Sequence, residues 1–218
     1  MSFYSVARKC LGGFFRVFYR VKVTGLDNEP AEGPVVVCAN HLSDHDVIIL
    51  GACMKRQVRY FAKAELFKVP VLKQVIKALG AFPVDRKVAT NAAASIKNTL
   101  QILENGEMIG LYPQGTRYPG VDPRTTPVKG GIGMIAYHSK ATILPVCIYT
   151  KSWKIKLLRR TYVTVGKPIT FEELGFTGGR GAEYQRASEY IFGKITDMIP
   201  ESVPDPRKAS AAEENDGN

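Results

Sequence analysis

The segment "NHLSDHDVIIL", residues 40 to 50, places His41, Asp44, His45 and Asp46 within six positions, ahead of an apolar run. An imidazole takes up and returns a proton near neutral pH, so a histidine here suits general base catalysis. Such a base needs a carboxylate on its second ring nitrogen, to fix the tautomer and to balance the imidazolium that forms. Asp44 and Asp46 are both near enough in sequence to serve His41. On a regular helix His41 and Asp46 would point about 140° apart, so pairing them demands a tight non-helical turn. Three other uses compete. The four side chains could ligate a metal, but the one further histidine is His138, in a helical pattern. Ser43 could be a nucleophile, yet no GxSxG elbow surrounds it. Ser43 or Asp44 could simply cap the helix that follows.

Basic residues recur where other strands should end. "YPQGTR" (112–117) offers the Gly115 backbone, the Thr116 hydroxyl and the Arg117 fork in one loop, and "FPVDR" (82–86) ends in Arg86. Lys63 follows the strand pattern "VRYF", and Lys129 precedes Gly130-Gly131. Arginine forks beside free backbone N–H groups hold a phosphate bidentately. "GIGMIA" (131–136) matches a dinucleotide fingerprint but follows a loop rather than a strand, so it reads as close packing at a helix start.

The formal net charge is +10, and residues 201–218 carry five acids and two bases, which leaves the body near +13. That surplus calls for an anionic partner. No nucleic-acid module accompanies it, so a lipid surface or a phosphorylated small molecule is expected instead. The four cysteines are scattered without zinc spacing; Cys38 and Cys147 lie in apolar runs and read as core residues in a reducing, cytoplasmic setting. No stretch approaches the roughly 18 to 20 apolar residues that span a bilayer, and no signal-peptide cleavage pattern is seen at the N-terminus.

These residues must be positioned by an α/β fold, a mixed central sheet flanked by helices. Strands are expected at 34–39, 58–63, 81–84, 107–113 and 142–150, with "YVTVGKPI" closing a hairpin across the basic turn "KSWKIKLLRR". Helices are expected from 46, at 70–80, 90–104 and 133–140, and finally at 181–199. Residues 1–24 read as an amphipathic helical membrane anchor. Phe3, Val6, Cys10, Phe14, Val17 and Phe18 share one face, and residues 1–22 carry five bases and no acid. Residues 25–200 form the main domain, and the polar tail 201–218 is expected to be disordered.

Four blocks in order, "NHLSDHD", "GAFPVDR", "YPQGTR" and "ATILPV", resemble the motifs of the glycerolipid acyltransferase family over about residues 20 to 170. The resemblance implies that His41 is the general base and Asp46 its orienting carboxylate, with Asp44 and His45 as variable positions. It implies that Gly115, Thr116 and Arg117 bind the acceptor's phosphate with help from Arg86 and Lys63, and that Pro145 shapes the acyl side. Where the family's third block carries Glu this chain has Gln114, which can still contact an acceptor hydroxyl. The implied reaction passes an acyl group from acyl-CoA or acyl carrier protein to the sn-2 hydroxyl of lysophosphatidate, without metal, cofactor or acyl-enzyme, at the cytoplasmic face of the membrane. A different lysolipid or amino-lipid acceptor is the alternative that Gln114 raises.

Overall fold

The structure, a computed structural model, describes residues 16–63, 81–84 and 92–206, with residues 13, 68 and 73 singly; at 62–63, 81–84 and 92–93 it describes backbone alone. The amphipathic pattern of residues 1–12, the helix expected at 70–80 apart from Lys73, and the site residue Arg86 lie outside the described residues. Lys63 ends a strand, and its side chain lies outside them too.

Among the described residues, seven strands make one sheet: β1 (Val21–Thr24), β2 (Val35–Ala39), β3 (Val58–Lys63), β4 (Ala81–Val84), β5 (Met108–Leu111), β6 (Thr142–Tyr149) and β7 (Thr161–Val165). Their order is β1-β7-β6-β2-β5-β3-β4. Every neighbouring pair is parallel except β6 with β7, the hairpin expected across the basic turn. Among the described residues, four α-helices pack on this sheet: α1 (His45–Cys53), α2 (Ala92–Glu104), α3 (Gly131–Ser139) and α4 (Gly181–Thr196).

β2 explains the layering. Its five residues are all buried, as a strand covered on both faces requires. Val35, Val37 and Ala39 join α1 residues Ile49, Leu50 and Cys53 in one core cluster. Val36 and Cys38 face the other cluster, with Ile132 and Ile135 of α3 and Ile191 and Ile195 of α4. The connections leaving β2 and β5 run in opposite directions, one through α1 to β3 and the other through α3 to β6. These two connections cross on opposite faces of the sheet, and the loops at the carboxyl ends of β2 and β5 come together at the edge where α/β sheets bind ligands.

Two expected boundaries need correction. The helical anchor was expected to run to residue 24, but Val21–Thr24 is a strand paired with β7; the alternation of Val21 and Val23 with Lys22 and Thr24 suits a strand, and Tyr19 before it is already buried. The polar tail was expected to begin at 201, but residues 201–206 lie against the body. Val203 packs on the second core cluster, and the Pro204 carbonyl accepts from Arg124 Nη2 at 2.6 Å. Arg124, held by Asp122 at 2.6 Å, supplies a docking point that composition does not show.

Cys38, Cys53 and Cys147 are buried and free of disulfides. Burial pushes the Cys53 thiol up to about 11 and Cys147 to about 12.

At the start of α4 the Glu183 carboxylate accepts from the backbone N–H groups of Thr177, Gly178 and Gly179, the last at 2.8 Å, and from the Thr177 hydroxyl. The Thr177 hydroxyl and these N–H groups favour the ionised form and hold Glu183 at about 2. A depressed folded-state pKa contributes stability above the ordinary glutamate range, lost as pH falls toward 2. Glu183→Gln should therefore lower the unfolding midpoint at neutral pH and flatten its acid dependence, as thermal melts across the acid range would show.

Candidate active site

His41 leaves the carboxyl end of β2 and Gln114 the carboxyl end of β5, neighbours whose register pairs Cys38 with Leu111. Between β2 and α1 the chain makes the tight turn that pairing His41 with Asp46 demands. The Asp46 N–H donates to the Ser43 carbonyl at 3.2 Å, and the Ser43 hydroxyl accepts from the His45 N–H, also at 3.2 Å. Asp46, in the first turn of α1, thereby reaches back. Its Oδ2 accepts from His41 Nδ1 at 2.7 Å, from the Leu42 N–H at 2.7 Å and from the Ser43 N–H at 2.9 Å.

The pair is asymmetric. Asp46 is fully buried, whereas the His41 side chain keeps 15% of its surface open. Burial pushes the Asp46 carboxyl above its ordinary range, opposed by the hydrogen bond from His41 and those from the Ser43 and Leu42 N–H groups. Because Oδ2 already accepts two backbone donors, its natural partner is a protonated Nδ1, which leaves the lone pair of His41 on Nε2.

The other two ionisable residues of this segment are engaged separately. Asp44 is ion-paired with Arg117 Nη1. His45 Nδ1 meets the Ser43 hydroxyl at 3.1 Å, and its ring lies 5.5 Å from that of Tyr19. Among the described residues no group of three His, Cys, Asp or Glu comes together as a metal-ligand set.

Gly115, Thr116 and Arg117 are exposed on the loop after β5. Gly115 has φ 68°, and a Cβ there would come within 2.8 Å of the Lys129 side chain. Glycine is favoured by the left-handed backbone, and the mobile end of Lys129 fills the space where a Cβ would stand. Lys129 thus lies against the Gly115 loop, and the same loop is tied to the dyad turn where the Tyr118 N–H donates to the His41 carbonyl at 2.9 Å.

Gln114 departs from the expected contact with substrate. It is fully buried; its Oε1 accepts from the His41 N–H at 2.6 Å and its Nε2 donates to the Thr126 hydroxyl at 2.7 Å. The Thr126 hydroxyl donates onward to the Pro123 carbonyl at 2.7 Å. Gln114 joins two loops, and a buried amide suits that position because it needs one donor and one acceptor there. Pro145 sits within β6, opposite Cys38.

Two residues of the site escaped sequence reasoning. Asn40 is fully buried; its Nδ2 donates to the Ile148 carbonyl at 2.8 Å and its Oδ1 accepts from the Ile148 N–H at 2.7 Å. This side chain extends the β2–β6 ladder by one rung and clamps the residue before His41. Tyr112 lies flat on the imidazole, with ring centroids 3.9 Å apart and planes 12° apart. Its hydroxyl is buried with no hydrogen-bond partner among the described residues, and burial holds it well above its ordinary pKa. The stacking face carries the interaction and the hydroxyl does not. Tyr112→Phe should keep turnover and leave stability equal or raised by up to about 1–3 kcal/mol, the cost of an unsatisfied buried group. Urea unfolding beside initial rates would check it.

The chain matches the Acyltransferase family model over residues 20–149. It is 33% identical over 152 residues to a 1-acyl-sn-glycerol-3-phosphate acyltransferase of Bacillus subtilis, covering 68% of this chain and 73% of that one. It is 32% identical over 138 residues to the protein of the same name from Borreliella burgdorferi, covering 63% of this chain and 54% of that one. In fold it is similar to the crystal structure of the 1-acyl-sn-glycerophosphate acyltransferase of Thermotoga maritima. The TM-score is 0.64 at 23% identity, over 90% of this chain and 81% of that one. The family match spans the strand end that carries His41, the first turn of α1 that carries Asp46 and the loop after β5, and on that ground the chain belongs to the glycerolipid acyltransferase family and is an O-acyltransferase.

Proposed function

We propose that the protein transfers a fatty acyl group from an acyl thioester, acyl-CoA or acyl carrier protein, to the sn-2 hydroxyl of 1-acyl-glycerol-3-phosphate. The product is phosphatidate, made at the cytoplasmic surface of a membrane. The observation that carries the chemistry is the buried Asp46 carboxylate on Nδ1 of a partly open His41. His41 Nε2 takes the proton of the acceptor hydroxyl as its oxygen attacks the thioester carbonyl. The tetrahedral oxyanion then collapses and expels the thiolate, which takes up from the imidazolium the proton that the acceptor hydroxyl gave. Atoms and charge balance without an acyl-enzyme. The names borne by the Bacillus and Borreliella relatives support lysophosphatidate as acceptor.

The phosphate of that acceptor is assigned to Arg117, where it replaces the Asp44 carboxylate, held through Nη1 alone, and can engage the guanidinium bidentately. Asp44 is then a competitor with the substrate rather than a merely variable position. Arg117→Ala should raise the acceptor KM at least about tenfold, the loss of one charge-assisted pair. Asp44→Ala should lower the KM, with kcat little changed in either. Steady-state kinetics separate these outcomes. Equal use of acceptors lacking phosphate would remove Arg117 from this role. Product analysis by mass spectrometry, with lysophosphatidate and both donor types, tests the reaction itself. The amino-lipid alternative rested on Gln114, and a Gln114 buried between two loops gives it no support.

A further inference from the structure

The connection between β6 and β7, residues 151–160, is built differently from the other loops. Its bases Lys151, Lys154, Lys156, Arg159 and Arg160 are all exposed, and it contains no acid. Its apolar residues divide in two directions. Trp153 and Ile155 pack on the core, while Leu157 and Leu158 stand 57% and 61% exposed. The Leu158 N–H donates to the Phe18 carbonyl at 2.7 Å, which brings the pair beside Val17, itself 71% exposed.

Backbone strain gathers on the same surface. Arg20, Trp153 and Leu158 have φ of 42°, 55° and 61°, three of the four positive values found for non-glycine residues among the described residues. A leucine in left-handed backbone that is also exposed is favoured neither by local conformation nor by packing, and such strain is characteristic of functional surfaces.

We infer that residues 151–160, with Val17, form a docking surface for an anionic lipid bilayer, Leu157 and Leu158 entering the acyl boundary and the surrounding bases meeting the headgroups. This rests on the proposed lipid acceptor and extends it, since the surface is tied to the active-site loop. The Gly120 N–H donates to the Trp153 carbonyl at 2.8 Å, and the Tyr118 N–H to the His41 carbonyl at 2.9 Å. Seating the leucines therefore presents the His41 mouth to the layer that holds the acceptor. Charge complementarity favours lipid, because an apolar tip ringed by bases matches a bilayer boundary. Nucleic acid would leave the leucines unused, and Trp153, edge-on to Tyr149 at 5.1 Å, presents no open stacking platform.

The test uses the full chain and a Leu157→Ser/Leu158→Asn variant, with flotation on phosphatidylcholine vesicles with and without phosphatidylglycerol. The variant should bind anionic vesicles about tenfold more weakly and melt at an equal or higher temperature, by about 2–4 °C, as strain at position 158 is relieved. Turnover of a water-soluble short-chain lysophosphatidate should be unchanged, while turnover of vesicle-borne acceptor falls with binding. Trp153, the only tryptophan in the chain, should shift its emission on anionic vesicles in the wild type and not in the variant. Wild-type binding by the variant overturns the inference, as does a loss confined to RNA binding in a gel-shift assay. If the wild type turns over no lysophosphatidate yet the variant still loses vesicle binding, the acceptor assignment fails and the docking surface stands.

Discussion

His41→Ala and Asp46→Asn will each lower acyl-transfer turnover by about 10²–10⁴-fold, the range for removing a general base or its balance, in proteins that remain folded. The two substitutions act differently. His41→Ala removes the base. Asp46→Asn keeps the oxygen that accepts from Leu42 and Ser43, so the turn persists. It also lets the same oxygen hold Nδ1, but it removes the negative charge that stabilises the imidazolium. Burial raises the Asp46 carboxyl, so its ionisation costs the folded state above the ordinary aspartate range. Asn carries no such cost, and at neutral pH the Asp46→Asn melting temperature should hold or rise while kcat falls. A parallel fall in kcat and melting temperature would make Asp46 a structural residue only.

Asn40→Asp will be the most damaging of the changes outside the dyad. The Nδ2 atom donating to the Ile148 carbonyl would become an oxygen, so two acceptors would face each other in a fully buried position. An ionised carboxylate there would also be buried without a cation. A loss of about 3–5 kcal/mol is expected, the range for uncompensated buried charge, with greater loss at neutral than at acid pH because protonation restores a donor. Asn40→Ala, which leaves one donor and one acceptor of Ile148 unpaired, should cost about 2–4 kcal/mol. Denaturant unfolding at two pH values distinguishes the variants, and a loss below 1 kcal/mol for both would mean that the rung contributes little.

These two predictions mark what the sequence made legible. Helical geometry alone required a tight turn if His41 and Asp46 were to meet, and the structure contains that turn. Strand and helix periodicity placed β2 to β7 because buried runs such as 35–39 and 142–149 have few other folds available. Asn40 was unreadable because its partner is 108 residues away, and only the strand order puts β6 beside β2. Gln114 was legible as a departure from the family's glutamate but not in its direction, since exposed and buried loop residues share one composition. Residues 21–24 were drawn into the preceding helix by an unbroken basic, apolar pattern; pairing with β7, a long-range event, decided otherwise. Asp44 read as variable because its partner Arg117 lies 73 positions away.

The parallel register of β2 and β5 has a consequence for which changes in chain length the protein can accept. His41 and Gln114 stand at one height because the two strands leave the sheet level with each other. Deleting a single residue within either strand would move one loop by about 3.3 Å and turn its following side chains to the opposite face. The Gln114 bridge to the His41 N–H spans 2.6 Å and could not follow. Length variation in this lineage should therefore collect in the connections, above all between β6 and β7, while the spacing from Val35 to His41 and from Met108 to Gln114 stays constant.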